Sequence, residues 1–153
     1  MNERTLVLLK PDGVQRLLVG RLLQRYEDRG LKLVGLKLVR AGRDLAERHY
    51  AIHRDRPFFD GLVDFITSGP LVVAALEGPE AVAVVRAING ATRPSDAAPG
   101  TIRGDLALET AQNLVHGSDS VATADAELSL WFGPGELVEY GREVDRWVLA
   151  VED

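Results

Sequence analysis

The segment NLVHGSDSV, residues 113–121, sets one histidine, His116, among small polar residues with a glycine directly after it. With a reference pKa near ~6.5, a histidine at neutral pH is substantially unprotonated and acts as a nucleophile without a strong base. Gly117 removes the side chain that would crowd an attacking imidazole, while Ser118 and Asp119 supply hydrogen bonds that fix a turn. Such a nucleophile needs an orienting partner. Glu127, eleven positions on, is the candidate acceptor for the other ring N–H, which would fix the tautomer.

Other chemistry is thinner. The chain has neither a GxxxxGK[ST] loop nor a GxGxxG turn, so a phosphate site must be built from side chains. His49 and His53 stand at the i, i+4 spacing of metal ligands, but the residues between them lack the glutamate of HExxH and no third ligand is evident. They read as a solvated or capping pair. Arg103-Gly104-Asp105 spells an adhesion tripeptide in a chain without secretory features, and reads as chance.

Composition narrows the classes. Apolar residues make up 46% of the 153 residues and charged residues 27%, values of a globular protein long enough to bury a real core, expected as a single domain over residues 1–153. There is no cysteine, which excludes disulfides, thiolate metal sites and thiol nucleophiles. A net charge of −5 argues against a nucleic-acid binder that neutralises phosphates over a broad basic face, but leaves small anionic ligands open. The N-terminal apolar run is too short for a signal peptide, and no segment approaches the length of a membrane span. A cytoplasmic protein with no membrane partner is expected.

The elements that must position these residues follow from periodicity. Residues 5–10 (TLVLLK) read as a buried strand running into a Pro-Asp-Gly turn and ending on Lys10. Leu18, Val19, Leu22, Leu23 and Tyr26 recur at helical spacing, with Gly30 as the stop. In residues 31–39 (LKLVGLKLV) Lys32 and Lys37 have opposite parity, which predicts a strand with a bulge near Val34-Gly35. Helices are expected over 44–50 and 59–67, a third buried strand over 71–76, and a helix over 80–88 with Pro79 in its first turn. Residues 92–103 read as a long loop, of the kind that is functional or disordered. A last strand is expected over 127–132 (ELSLWF), with Glu127, Ser129 and Trp131 on one face. This order suits an antiparallel or mixed sheet of about four strands covered on one side, the split βαβ or ferredoxin-like arrangement.

The motifs KPDGVQRLLVGRLL, HYAIHRDRPFF, SGPLVVAALEGPEAV, NGATRPSDAAPGTIRGD and NLVHGSDSV, in that order, resemble the nucleoside diphosphate kinase family over essentially the whole chain. The resemblance implies an α/β (α+β sandwich) ferredoxin-like fold with a four-stranded antiparallel sheet and surrounding helices. It also implies transfer of a γ-phosphoryl between nucleoside tri- and diphosphates through a phosphohistidine, with Mg²⁺ held mainly by the nucleotide. Carried over, His116 matches the phosphorylated histidine, Glu127 the residue that orients it, and Ser118 the support of that glutamate. Lys10, Arg86, Thr92 and Arg103 match the side chains that hold phosphates, and Asn113 and Lys10 the contacts to the sugar hydroxyl. Tyr50 matches a ring beside the histidine. Phe58 matches the aromatic under the base, with Leu62 and the backbone near Thr110 completing the slot.

The chemistry is consistent with these roles. Phosphoryl transfer needs placement and charge neutralisation more than covalent work from the protein. A nitrogen–phosphorus bond keeps high transfer potential, so a phosphohistidine makes a reversible relay where a phosphoserine would be a dead end. Taken singly, Lys10 reads as a solvated strand-end lysine, Arg86 and Arg103 as surface ion-pair partners, and Phe58 as core; taken jointly, in motif order, they read as a site. Of the adjacent Phe58 and Phe59, at most one is expected to be exposed. Arg93 stands where the family frequently has asparagine, and Ala111-Gln112 where Gly-Arg is frequent; neither touches the relay. The tail beyond Trp131 resembles that of hexameric members, so a homo-oligomer, hexamer before tetramer, is expected, with Trp147 buried against a neighbouring subunit. An RNA-binding module on the same fold would need paired sheet aromatics and a basic surface, and the sequence shows neither.

Overall fold

The computed structural model describes residues 2–150. In chain order these form β1 (Asn2–Leu9), α1 (Pro11–Gln15), α2 (Val19–Asp28), β2 (Lys32–Val39), α3 (Arg43–His49), α4 (Phe59–Ile66), β3 (Leu71–Pro79), α5 (Ala81–Asn89), α6 (Ile102–Leu106), β4 (Val115–Gly117), α7 (Val121–Trp131) and α8 (Asp145–Val148). The sheet order is β2-β3-β1-β4 with every neighbouring pair antiparallel, the expected ferredoxin-like α+β arrangement.

The two central strands are buried on both faces, not on the one face expected. On β1, Leu6 and Leu8 join one apolar cluster with Tyr50, Phe59, Val63, Ile66, Leu128 and Trp131, so that α3, α4 and α7 cover that side. Val7 and Leu9 join the other, with Leu22, Tyr26, Val85 and Ile102 of α2, α5 and α6. This double burial is why residues 5–10 read as an unbroken apolar run instead of an alternating one. Each fully buried leucine contributes about 1.5–3 kcal/mol relative to exposure.

Local signals account for several element ends. After α2 the N–H of Leu31 reaches the carbonyl of Tyr26 and that of Gly30 the carbonyl of Glu27, a Schellman closure that uses the positive φ of 101° at Gly30. In β2 the pairing register shifts between Leu33 and Gly35, which places the bulge where the two lysines required it. The carbonyl of Val34, freed by the bulge, accepts the N–H of Val138 from the C-terminal tail at 2.8 Å. Gly35 is needed there, because a Cβ would lie 2.7 Å from Leu137 Cδ2 and 3.0 Å from Phe132 Cε1.

Three expectations are corrected. Residues 127–132 are not a strand: Glu127 lies on α7, and the fourth strand is the three-residue β4 that carries His116. ELSLWF alternates, but Ala124, Glu127, Leu128 and Trp131 are buried at the i, i+3, i+4, i+7 spacing of a helix, and the Ser120 hydroxyl caps its start by accepting the N–H of Thr123 at 3.0 Å. Pro79 does not open a helix. It ends β3 opposite Asn2, and Glu80, at φ 52°, turns the chain into α5. The stretch 92–103 is not all loop, since it contains a 3-10 turn at Pro94–Asp96 and enters α6 before Arg103.

Candidate active site

His116 sits on the edge strand β4, opposite Leu8 of β1. Its Nε2 lies 3.0 Å and 2.9 Å from the two carboxylate oxygens of Glu127, one helix away in space. A carboxylate only accepts, so Nε2 carries the proton and Nδ1 of the neutral ring holds the free lone pair. The Ser118 hydroxyl donates to Glu127 Oε1 at 2.6 Å and is fully buried. Burial opposes ionisation of Glu127, but the hydrogen bonds from His116 and Ser118 outweigh it and hold the carboxyl below its ordinary range.

Two expectations about this segment change. Ser118 does not fix a turn through its hydroxyl, which is spent on Glu127. Gly117 is small for a packing reason: a Cβ would lie 2.9 Å from Asn89 Nδ2 and 3.1 Å from Val85 Cγ1, where α5 crosses β4.

His49 is the group that sequence reasoning assigned wrongly. Its side chain is 1% exposed, and its ring stands edge-on to that of His116 with centroids 4.6 Å apart. Its Nδ1 accepts the indole N–H of Trp131 at 3.0 Å. Burial, then the proximity of His116, pushes its pKa down to about 3, so the ring is neutral through the physiological range. His53, on the 3-10 turn Ala51–His53, stands 5.4 Å from the Phe58 ring, and the ligand-type atoms that gather with His49 belong to His116 and Glu127. Ligand-type atoms of His49, His116 and Glu127 do fall within 4.8 Å of one another, yet each is engaged in the hydrogen bonds just described. The pair Glu127 and Trp131 at i, i+4 was the available signal, but only once that segment is read as a helix.

Around these hydrogen-bonded groups opens a cleft of about 1540 Å³ lined by every candidate site residue except Ser118. Lys10, at the end of β1, donates from Nζ to Asn113 Oδ1 at 2.8 Å, and Asn113 Nδ2 donates to the Thr92 carbonyl at 3.0 Å. Burial first and the nearby Arg103 second lower the Lys10 pKa to about 8, while Asp12 raises it. Arg103 is 7% exposed and braces three carbonyls: Asn113 at 3.2 Å, Gly90 at 2.8 Å and Val115 at 2.5 Å. These bonds take three of its five N–H groups and leave two for a ligand. Arg86 on α5 and Thr92 are exposed at the cleft wall.

The outer wall is apolar. Phe58 is 50% exposed whereas Phe59 is core, which resolves the adjacent rings as expected. Leu62 follows Phe58 one helical turn on, and Thr110 completes the opposite lip. Tyr50 is buried with its ring 4.7 Å from that of His49, so it reaches His116 through His49. Burial raises its phenol to about 12, which keeps it a neutral hydrogen-bonding group. Cations outnumber anions in the lining: Lys10, Arg48, Arg86 and Arg103 line the cleft against the carboxylates of Asp119 and Glu127, in a chain of net charge −5.

Comparison with known proteins agrees with this geometry. A model of the family described as nucleoside diphosphate kinase matches residues 3–137. The nucleoside diphosphate kinase of Thermomicrobium roseum is 56% identical over 148 residues, covering 97% of this chain and 99% of that protein. That of Synechococcus elongatus is 53% identical over 146 residues, covering 95% and 98%. Among solved structures, a halophilic nucleoside diphosphate kinase from Halobacterium salinarum in complex with CDP superposes with a TM-score of 0.96 at 49% identity, covering 98% of this chain and 100% of that one. A nucleoside diphosphate kinase family protein from Babesia bovis gives 0.93 at 45% identity, covering 95% and 99%. Match, coverage and fold together place this chain in the nucleoside diphosphate kinase family.

Proposed function

We propose that this chain catalyses reversible γ-phosphoryl transfer from a nucleoside triphosphate to a nucleoside diphosphate in two half-reactions, with His116 Nδ1 as the carrier. In the first, the Nδ1 lone pair attacks the γ-phosphorus, an N–P bond forms, the bond to the β,γ-bridging oxygen breaks, and the diphosphate leaves. In the second, a β-phosphate oxygen of another diphosphate attacks the same phosphorus and the N–P bond breaks, restoring the neutral ring. The observation that carries this reading is the Nε2–Glu127 hydrogen bond, which leaves Nδ1 as the nitrogen with a lone pair.

The other residues take roles that their placement supports. Glu127, held by Ser118, stabilises the positive charge that grows on the imidazole as phosphorus bonds to it. Lys10, Arg86, Thr92 and the two spare N–H groups of Arg103 hold phosphate oxygens, and Asn113 with Lys10 meets the sugar hydroxyls. Phe58 and Leu62 take the base by stacking, which contributes about 1–3 kcal/mol per base and tolerates any base. Tyr50 supports the relay from behind His49.

Magnesium fits as an ion that enters with the nucleotide. Of the two cleft carboxylates Glu127 is committed to His116 and Ser118, and Asp119 is a single exposed group at the rim, too little for a resident octahedral site. When bound, Mg²⁺ would neutralise phosphate charge.

Residues 1–153 act as one domain in this reading, in the cytoplasm; no helix among the described residues is long and apolar enough to cross a membrane. This reading takes the chain as a homo-oligomer, which the 79% exposure of Trp147 and the projection of Leu36 and Leu38 from the edge strand β2 support, and it prefers a hexamer to a tetramer on the resemblance of the tail beyond Trp131. Nucleoside di- and triphosphates are the partners in this reading, and the net charge of −5 argues against a broad phosphate-neutralising face for nucleic acid.

Brief incubation with ATP and Mg²⁺ tests the reading. Acid-labile, alkali-stable phosphate should appear on the wild-type protein and not on His116→Ala. Unlabelled wild type, or equal labelling of both, would defeat it.

A further inference from the structure

Leu114, two residues before His116, has a φ of 73° and is completely buried. The N–H of Val115 closes back on the carbonyl of Asn113 at 2.9 Å, so residues 113–115 form a tight γ-turn in the positive-φ form that is rare and strained for a side chain such as leucine. Strain of this kind persists only where surrounding contacts over-determine it. Here both backbone groups of Leu114 are clasped from the β1–α1 junction. Its carbonyl accepts the N–H of Lys10 at 2.8 Å, and its N–H donates to Asp12 Oδ2 at 3.1 Å.

The turn has chemical consequences on both sides. Before it, Asn113 presents the Oδ1 that receives Lys10 Nζ; after it, the chain enters β4 and presents His116. The carboxylate of Asp12 is also unusual in leaving Oδ1 buried without a hydrogen-bond partner among the described residues, a costly arrangement that an amide-accepting role alone does not require. What a carboxylate adds over a neutral amide is charge beside Lys10. Lys10 is otherwise faced by the cation Arg103 from α6, by neutral His49 from α3 and by the amide of Asn113.

We propose that Asp12 is a positioning residue of the transfer reaction: its carboxylate locks the strained turn at Leu114, which sets Lys10 and His116 at their mutual distance. The same carboxylate favours the protonated form of Lys10, against burial and Arg103. This rests on the phosphohistidine reading above. Asp12 touches no reacting atom. It acts through the turn and through the lysine.

Two substitutions separate its roles. Asp12→Asn keeps an oxygen acceptor for the Leu114 N–H but removes the charge, whereas Asp12→Ala removes both. The rate of His116 phosphorylation by ATP is to be followed against pH, with hydrogen exchange of the Leu114 amide measured alongside. Asp12→Ala should phosphorylate about 10²-fold more slowly at neutral pH, the scale of a misplacement near 1 Å, and its Leu114 amide should exchange freely. Asp12→Asn should retain a protected Leu114 amide and a neutral-pH rate within about threefold of wild type, since a neutral acceptor replaces a charged one. In both, the alkaline fall in rate should move to lower pH, because Lys10 loses the charge that favours its protonated form. Should Asp12→Ala not fold, the Asp12→Asn profile alone decides. A wild-type rate and unmoved alkaline limb in Asp12→Asn, or an Asp12→Ala amide as protected as wild type, would overturn the proposal. A wild type that takes no phosphate would instead defeat the phosphohistidine reading, while the amide exchange would still report on the clasp.

Discussion

Replacing Glu127 by glutamine isolates the charge behind the relay histidine with little change of shape. The neutral amide can still point its oxygen at His116 Nε2 and its NH₂ at the Ser118 hydroxyl, so the Nδ1 lone pair survives. What disappears is the anion. A hydrogen bond to a charged group is worth about 1.5–3 kcal/mol against about 0.5–1.5 for a neutral one, a loss near 1.5. The imidazole also gains positive charge in the transition state. For about half a unit charge some 4 Å from the carboxylate, at an effective dielectric near 20, the forfeited attraction is about 2 kcal/mol. The two figures overlap, since part of the hydrogen-bond strength is that same attraction. A loss of about 2–3 kcal/mol follows, or roughly 30- to 150-fold in rate. Rapid-quench measurement of His116 phosphorylation should show this drop in the chemical step with nucleotide affinity nearly unchanged. Glu127→Gln within threefold of wild type, or a loss confined to KM, would refute the electrostatic reasoning.

Other consequences follow from named contacts. Phe58→Ala removes the exposed ring of the cleft and should weaken all nucleotides by about 5- to 150-fold, with the ratio between bases unchanged in competition assays. Gly117→Ala forces a Cβ to 2.9 Å from Asn89 and should destabilise the fold by about 1–3 kcal/mol, seen as a Tm lower by roughly 3–10 °C in calorimetry. Because the Lys10 pKa is lowered to about 8, its charge is lost as pH rises through that value, so kcat/KM should fall above it and Lys10→Arg should lift the fall to higher pH.

How much of this was legible in the sequence depends on the range of the forces involved. The sheet strands over 5–10, 31–39 and 71–76, the bulge and the Gly30 stop follow from parity and local backbone preference, and each was readable from its own few residues. The pairing of His116 with Glu127 was proposed for the right chemical reason but from the wrong element. A polar glutamate interrupts the apolar stripe of α7, so the buried face Ala124, Glu127, Leu128 and Trp131 looked like strand alternation. The tertiary contacts were out of reach. His49 looked solvated because nothing near it in sequence announces that the Trp131 indole, 82 positions away, will take its Nδ1. Asp12 read as a turn former, and its grip on Leu114 spans 102 positions. Gly117 was assigned to clearance for the imidazole when its neighbour is in fact α5. Sequence periodicity reports burial; it does not report which buried group meets which.

The most direct test isolates the relay itself. Protein labelled from γ-³²P-ATP is freed of nucleotide and then given GDP alone. The label should leave His116 and appear in GTP, one phosphoryl for each labelled site. Label that stays on the protein, or departs only as inorganic phosphate, would contradict the account.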